Sequence, residues 1–401
     1  MRHNSRLQYG FPDRILKNIP GKADLWIQAA SVGEVYLACE ILNTIQTPEP
    51  VRILLTTNTA QGMEIFSSIL QDTLKNNPNL KVHSAYFPFD KPSIMDEALK
   101  YISPKLVVLL ESELWPGLLN KCKKHKVKVL VINGRMTEKS LSRYKTWPSL
   151  WKAIRPDKIL AMSNDNAQRF SSLFGNDIVN TMHNIKFDRL DLTGNLNEST
   201  NPIRTIVKTG SKFIVLGSIR QEEEKEITSL LIDLRSKNSA LVIGLFPRHM
   251  HRIDFWKKTL LSQNIPWKLR SKMTHPLKND GVIVWDTMGE LSYAYGIANA
   301  AFVGGSLAPV GGQNFLEPLT CGLKPVIGPH WSNFYWVGKK IIDERLVFQV
   351  DSWQDVSQFL FDNTVISFDR EQTRHSVNTY VQTRQGGTKQ ACNIINTYLF
   401  S

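Results

Sequence analysis

Residues 25–45 read LWIQAASVGEVYLACEILNTI. An apolar run ends at Ala30, Gly33 permits a tight turn, and a helix opens at Glu34, with Ala38, Ile41, Leu42 and Ile45 spaced to form one buried stripe. A strand that passes into a helix through a short turn is the repeating unit of a parallel sheet, whose strands are covered on both faces and therefore read as unbroken apolar runs. The same rhythm recurs in VRILLTTN (51–58), KVHSAYFPF (81–89), KLVVLLES (105–112), VKVLVING (127–134) and KILAMS (158–163). These βα units predict an α/β, doubly wound fold.

A polar stretch rich in Asn and Thr, NIKFDRLDLTGNLNESTNPIR (184–204), breaks the rhythm. It restarts with KFIVLGS (212–218), ALVIGLFP (240–247), GVIVWDT (281–287), AAFVGGS (300–306) and KPVIG (324–328). Two domains are expected, residues 1–200 and 201–401, which suits a chain of 401 residues. The last segment, from about Arg370 to Phe400, reads as one or two helices able to pack back across the junction between the lobes.

Composition narrows the class. A hydrophobic share of 42% and a charged share of 21% are those of a soluble globular protein. Cys39, Cys122, Cys321 and Cys392 lie far apart with no CxxC pair, so neither a zinc site nor a disulfide framework is indicated, and a reducing compartment fits. The start, MRHNSRLQYGF, is basic and lacks the apolar core of a signal peptide, and no run of about 18 apolar residues occurs. A net charge of +13 asks for an anionic partner: nucleic acid, lipid headgroups or a phosphorylated substrate. Nucleic acid is disfavoured, since no helix-turn-helix, zinc finger or aromatic-basic platform is evident. The lysines at 121, 123, 124 and 126 read as a solvated helix face.

Ligands of open parallel sheets sit beyond the carboxyl ends of the strands, so the chemistry is sought in the loops that follow them. Glu34 follows the first strand. Glu111 and Glu113 follow KLVVLL, ahead of Trp115 and of Pro116, which marks a first helical turn. Arg248 and His249 stand between a strand and a helix, where a planar guanidinium and aligned amides would suit an anion. Gly304, Gly305, Gly311 and Gly312 bracket a loop able to bring amides near a phosphate, with a helix expected from about Asn314 and Glu317 in its first turn. Glu317 would then accept hydrogen bonds from ribose hydroxyls. Neither GxGxxG nor GxxxxGK[ST] is present, against a dinucleotide fold or a P-loop.

Taken in order, SVGEV (31–35), ESELWPG (111–117), NGRMTEKSLSRY (133–144), NIKFD (184–188), PRH (247–249), DTMGEL (286–291) and FVGGSLAPVGGQNFLEP (302–318) resemble the bacterial 3-deoxy-D-manno-octulosonic acid (Kdo) transferases, inverting glycosyltransferases of the GT-B fold. The resemblance covers almost the whole chain. It implies two Rossmann-like βα domains facing each other across a cleft, the N-terminal one binding the acceptor, a lipid A precursor (lipid IVA), and the C-terminal one binding the donor, CMP-Kdo. It implies Glu34 as general base, with Glu111 and Lys186 stabilising the transition state. It implies CMP contacts from Pro247 and Arg248, from Met288, Gly289 and Glu290, and from Asn314, Phe315, Leu316 and Glu317. No cofactor is implied, and no DxD metal motif stands at a strand end.

The resemblance also implies the cytoplasmic face of the inner membrane, an anionic surface. Family members usually begin with a hydrophobic anchor; this chain starts just after where that would lie, so peripheral attachment is expected of it as given. Two departures stand out: Ile219 and Arg220 replace a common Thr-His pair, and His183 replaces a Gly. Competing readings are a GT-B transferase or epimerase that uses a UDP-sugar, and a catalytically dead scaffold. Against the scaffold, Glu34, Glu111, Lys186 and Arg248 all stand at their motif positions.

Overall fold

The computed structural model describes residues 9–190, 192, 201–277, 280–366 and 369–401. The first residues of the basic start and much of the Asn- and Thr-rich stretch lie outside them. The chain divides into two compact units, Met1–Leu190 with Arg384–Ser401, and Asp191–Thr383.

The first unit holds a parallel sheet of β1 (Leu25–Gln28), β2 (Val51–Thr57), β3 (Leu80–Tyr86), β4 (Leu106–Leu110), β5 (Lys128–Gly134), β6 (Lys158–Ala161) and β7 (Val179–Thr181), in the order β3-β2-β1-β4-β5-β6-β7. In β4 every side chain is buried: Val107 and Leu109 join one core, while Leu106, Val108 and Leu110 join the other. That alternation is why a two-faced strand reads as a continuous apolar run.

The second unit repeats the plan with β8 (Phe213–Ile219), β9 (Val242–Pro247), β10 (Trp267–Leu269), β11 (Val282–Val284), β12 (Ala300–Val303), β13 (Val326–Ile327) and β14 (Phe348–Gln349), in the order β10-β11-β9-β8-β12-β13-β14. These strands too are all parallel. Ile214 and Leu216 face one core, and Phe213 and Val215 the other.

The expected second domain of 201–401 is longer than the unit observed. Residues 384–401 belong to the first unit, where the helix Gly387–Leu399 buries Ala391, Cys392, Ile395 and Leu399 in the core that also holds Ile41 and Leu42 of the helix Val32–Thr44. The four cysteines are free and buried. Among the described residues no helix is long and apolar enough to cross a membrane.

Candidate active site

In each sheet one pair of neighbouring strands sends the chain to opposite sides. From β1 it moves outward to β2, whereas β4, on the other flank of β1, leads on to β5. From β8 it moves to β9, whereas β12 leads on to β13. The loops beyond such a pair diverge and leave a crevice at the strand ends, where doubly wound proteins bind ligands.

In the first unit the crevice is acidic. The helix that follows β1 begins at Val32, two residues ahead of the expected Glu34, because Ser31 caps it: Ser31 Oγ accepts from the Glu34 amide at 3.4 Å and donates to Glu34 Oε1 at 3.0 Å. The Ala30 amide donates to Glu34 Oε2 at 2.7 Å. Glu34 is therefore the third residue of the helix, bonded back to the residues that start it, fixed in place and 5% exposed. Burial, then the charge of Glu113, push its pKa up to about 8; Glu111 adds to this and the Ala30 amide opposes it.

Glu111 ends β4 in the left-handed region, φ 51°, and Asn133 at the end of the adjacent β5 has φ 57°. A side chain other than glycine is uncommon there, and the turn it imposes re-aims the chain at each strand end. Glu111 is buried, and Lys186 Nζ lies 2.7 Å from its Oε1. Lys186 sits in a single 3₁₀ turn, Ile185–Phe187, held from two sides: Asn184 Oδ1 accepts from the Lys186 amide at 3.0 Å, and Asn133 Oδ1 from the Ile185 amide at 3.1 Å. Glu113 is half-buried and accepts from Trp115 Nε1 at 2.6 Å. Burial carries its pKa to about 7, with Trp115 and Gln28 opposing and Glu111 adding. The structure thus brings Glu34, Glu111 and Lys186 together, and adds Glu113 and Asn133. Trp115 packs by its ring against Phe87, centroids 4.9 Å apart.

The crevice of the second unit is cationic at its rim and acidic at its base. Arg220 follows β8 and Arg248 follows β9. The Arg220 guanidinium bonds Glu222 at 3.1 and 3.3 Å and lies 3.4 Å from His249 Nε2. Arg248 is exposed, and its guanidinium has no hydrogen-bond or ion-pair partner among the described residues. The helix expected just after Arg248 and His249 begins only at Ile253, behind one 3₁₀ turn, and the Arg248 amide is taken by Ile219 O at 2.8 Å, so no row of helix amides serves an anion there. Slight desolvation, then the charges of Arg220, His251 and Arg248, lower the His249 pKa.

The glycine loop does not offer its amides as expected. The Gly304 amide bonds Gly217 O at 2.8 Å, the Gly312 amide Gly305 O at 2.7 Å and the Gln313 amide Gly304 O at 3.0 Å. The Gly305 amide bonds Glu223 at 2.5 Å. Glu223, which no motif marks in the sequence, is fully buried beneath the loop, also accepting from the Arg220 amide at 2.9 Å and the Leu307 amide at 3.4 Å. Burial pushes its pKa up to about 7 against these donors.

Of the other expected CMP contacts, Pro247 ends β9 and is buried; Met288 is 73% exposed in a turn that Gly289 makes with φ 87°. The Glu290 carboxylate is fully engaged, by Arg270 at 2.7 and 2.9 Å, Trp285 at 2.7 Å and Thr287 at 2.9 Å. Burial raises its pKa, and these donors more than offset that, leaving it below the ordinary value. The helix expected from Asn314 is only Leu316–Thr320; Asn314 is exposed and its Oδ1 accepts from the Leu316 amide at 3.1 Å. Phe315 and Leu316 are core side chains, and Glu317 is bonded by Ser292 Oγ. Among the described residues no group of His, Cys, Asp or Glu is placed to hold a metal ion.

Residues 3–189 match the family model described as 3-deoxy-D-manno-octulosonic-acid transferase (kdotransferase). The 3-deoxy-D-manno-octulosonic acid transferase of Haemophilus influenzae is 28% identical over 407 residues, covering 99% of this chain and 92% of that protein. Among solved structures, a glycosyltransferase from Rickettsia africae superimposes with a TM-score of 0.55 at 12% identity, over 95% of this chain and 99% of that one. The UDP-GlcNAc 2-epimerase of Neisseria meningitidis gives 0.51 at 12% identity, over 94% of this chain and 99% of that one. At such identities these two likenesses report the fold, the two-domain α/β architecture of GT-B proteins.

Proposed function

This chain belongs to the 3-deoxy-D-manno-octulosonic acid (Kdo) transferase family, and from that premise we propose that it moves Kdo from CMP-Kdo to the primary hydroxyl of a lipid A precursor, lipid IVA, with inversion at the anomeric carbon. The observation that carries this reading is the buried crevice of the first unit, where Glu34 is fixed by Ser31 and Ala30 beside Glu111, Glu113 and Lys186.

Glu34 takes the proton of the acceptor hydroxyl as that oxygen attacks the anomeric carbon from the face opposite CMP. The bond to the phosphate oxygen breaks, and its electron pair leaves with CMP. A base whose conjugate acid has a pKa of about 8 holds the proton far better than an ordinary carboxylate while remaining partly ionised near neutrality. Glu111 holds Lys186, whose ammonium answers the carboxylate of Kdo. Arg248 and Arg220 neutralise the phosphate as it departs, electrostatic help worth several kcal/mol in such sites.

Support for an acceptor at an anionic membrane comes from the segment after β5. Trp147 is 69% and Leu150 45% exposed, among Arg143, Lys145 and Lys152. Tryptophan and basic side chains favour the headgroup level.

The test is to incubate the protein with CMP-Kdo and lipid IVA, following CMP release and the mass of the lipid. Product heavier by Kdo, with a rate about 10²- to 10⁴-fold lower in Glu34→Gln, is the expected result. CMP, and not UDP, is expected to raise the melting temperature. Failure to bind or consume CMP-Kdo, or a Glu34→Gln variant as fast as wild type, would overturn the assignment of donor or of base respectively.

A further inference from the structure

Lys212 immediately precedes β8 and Asn299 immediately precedes β12. They stand at the N-terminal ends of strands whose far ends lead to Arg220 and Gly304, about 23 Å away along β8 and about 13 Å along β12. Between these N-terminal ends lies a cavity of about 360 Å³, lined also by Arg204, Thr209, Ser211 and Arg370. No carboxylate occurs among its described lining residues.

Arg370 is built into the wall. Its guanidinium donates to the carbonyl oxygens of Tyr295 at 3.2 Å and Cys321 at 2.8 Å, and to that of Ala298. These carbonyls close the helices Leu291–Ile297 and Leu316–Thr320, so Arg370 caps two helix ends at once. Carbonyl dipoles satisfy its N–H groups without cancelling its charge, as a carboxylate would. Burial lowers its pKa; Cys321 opposes this, and the charges of Arg374 and Arg204 add to it. The reading of the transferase leaves this cluster without a role.

We propose that the cavity is a second ligand site of the second unit and binds a small molecule carrying a phosphate monoester. Lys212 presents a mobile ammonium and Thr209 and Ser211 hydroxyls, groups from which phosphate oxygens accept, while Arg204 and Arg370 add positive charge to the wall. Ile297 and Leu323 give the remainder of the wall an apolar character suited to a carbon skeleton. The volume exceeds that of bare phosphate and falls at the lower end of small-molecule sites, about 300 to 1,000 Å³. A soluble sugar phosphate and a phosphate-bearing lipid headgroup share this chemistry.

The experiment is calorimetric titration of the whole protein in about 150 mM salt, where long-range surface attraction is screened. The probes are glucose 1-phosphate, glucose, and the short-chain lipid dihexanoyl phosphatidic acid, each titrated into the wild type and into Arg248→Ala. Phosphate-dependent binding that survives Arg248→Ala is expected. Lys212→Glu, at an exposed position on the rim, should weaken it by at least about ten-fold, the loss of one charge-assisted hydrogen bond, with the melting temperature unchanged. Preference for glucose 1-phosphate would assign a soluble ligand, and preference for phosphatidic acid a headgroup. No binding of either phosphate, or binding abolished by Arg248→Ala and indifferent to Lys212→Glu, overturns the proposal.

Discussion

Glu34 serves two ends that oppose one another. By accepting from Ser31 Oγ and the Ala30 amide it stabilises the start of its helix, and as a buried acid whose pKa rises from 4.5 to about 8 it binds its proton more tightly folded than unfolded. The native state therefore carries the extra proton between those values, and this contribution to stability, full below about 4.5, is lost as pH rises through 8. Glu34→Gln keeps the shape and removes the titration. At pH 5 the variant should melt lower, by the about 1 kcal/mol that a weakened cap costs; at pH 8.5 it should melt higher than wild type. Melting curves at the two pH values test this, and an equal difference at both would mean that Glu34 titrates as an ordinary carboxylate. Glu223 makes a simpler case: Glu223→Gln loses acceptors for buried amides, which should cost about 1 to 3 kcal/mol and weaken CMP binding, read by chemical denaturation and titration. Glu34 was legible in the sequence because a strand, a turn and an acid at a helix start are local. Glu223 was not, because its partners, Gly305 and Leu307, lie more than 80 positions away.

The same distinction governs the elements. The interior strands were visible because each is buried on both faces and reads as an apolar run. The strands the sequence concealed, β7, β10 and β14, are three of the four sheet edges, short and half-exposed, with no run to show. The motif NIKFD carries two roles two residues apart, of which the sequence suggested one. Lys186 faces Glu111, while Asp188 accepts from the amides of Gly386 and Thr388 and from Thr388 Oγ, each at 2.6 Å, and so fixes the start of the helix Gly387–Leu399. That helix opens after Gly386, which supplies no side-chain cap. Asp188→Ala should therefore remove about 1 to 2 kcal/mol, as loss of a strong N-cap does, and should speed hydrogen exchange at Gly386 and Thr388 before any change in the sheet. Unchanged exchange at those two amides would show that the helix start is held by its apolar stripe alone.

At the scale of the whole molecule, charge and connectivity decide what each unit can do. With a net charge of +13 and Trp147 exposed among basic side chains, binding to vesicles should increase with the fraction of anionic lipid and fall with salt, and Trp147→Ala should weaken it; sedimentation indifferent to lipid charge would sink that reading. Connectivity yields a sharper prediction. The chain completes the first unit only with its last residues, whose side chains Ala391, Cys392, Ile395 and Leu399 are all 5% exposed or less. Removing residues 384–401 would expose Ile41 and Leu42 and release Asp188, two residues from Lys186, while every described bond of Arg220, Glu223 and Glu290 stays within the second unit. A chain ending at Thr383 should thus lose transfer and melt in two steps, the first unit several degrees early, yet bind CMP as the whole protein does. Loss of CMP binding together with transfer would show that the second unit depends on the first for its fold.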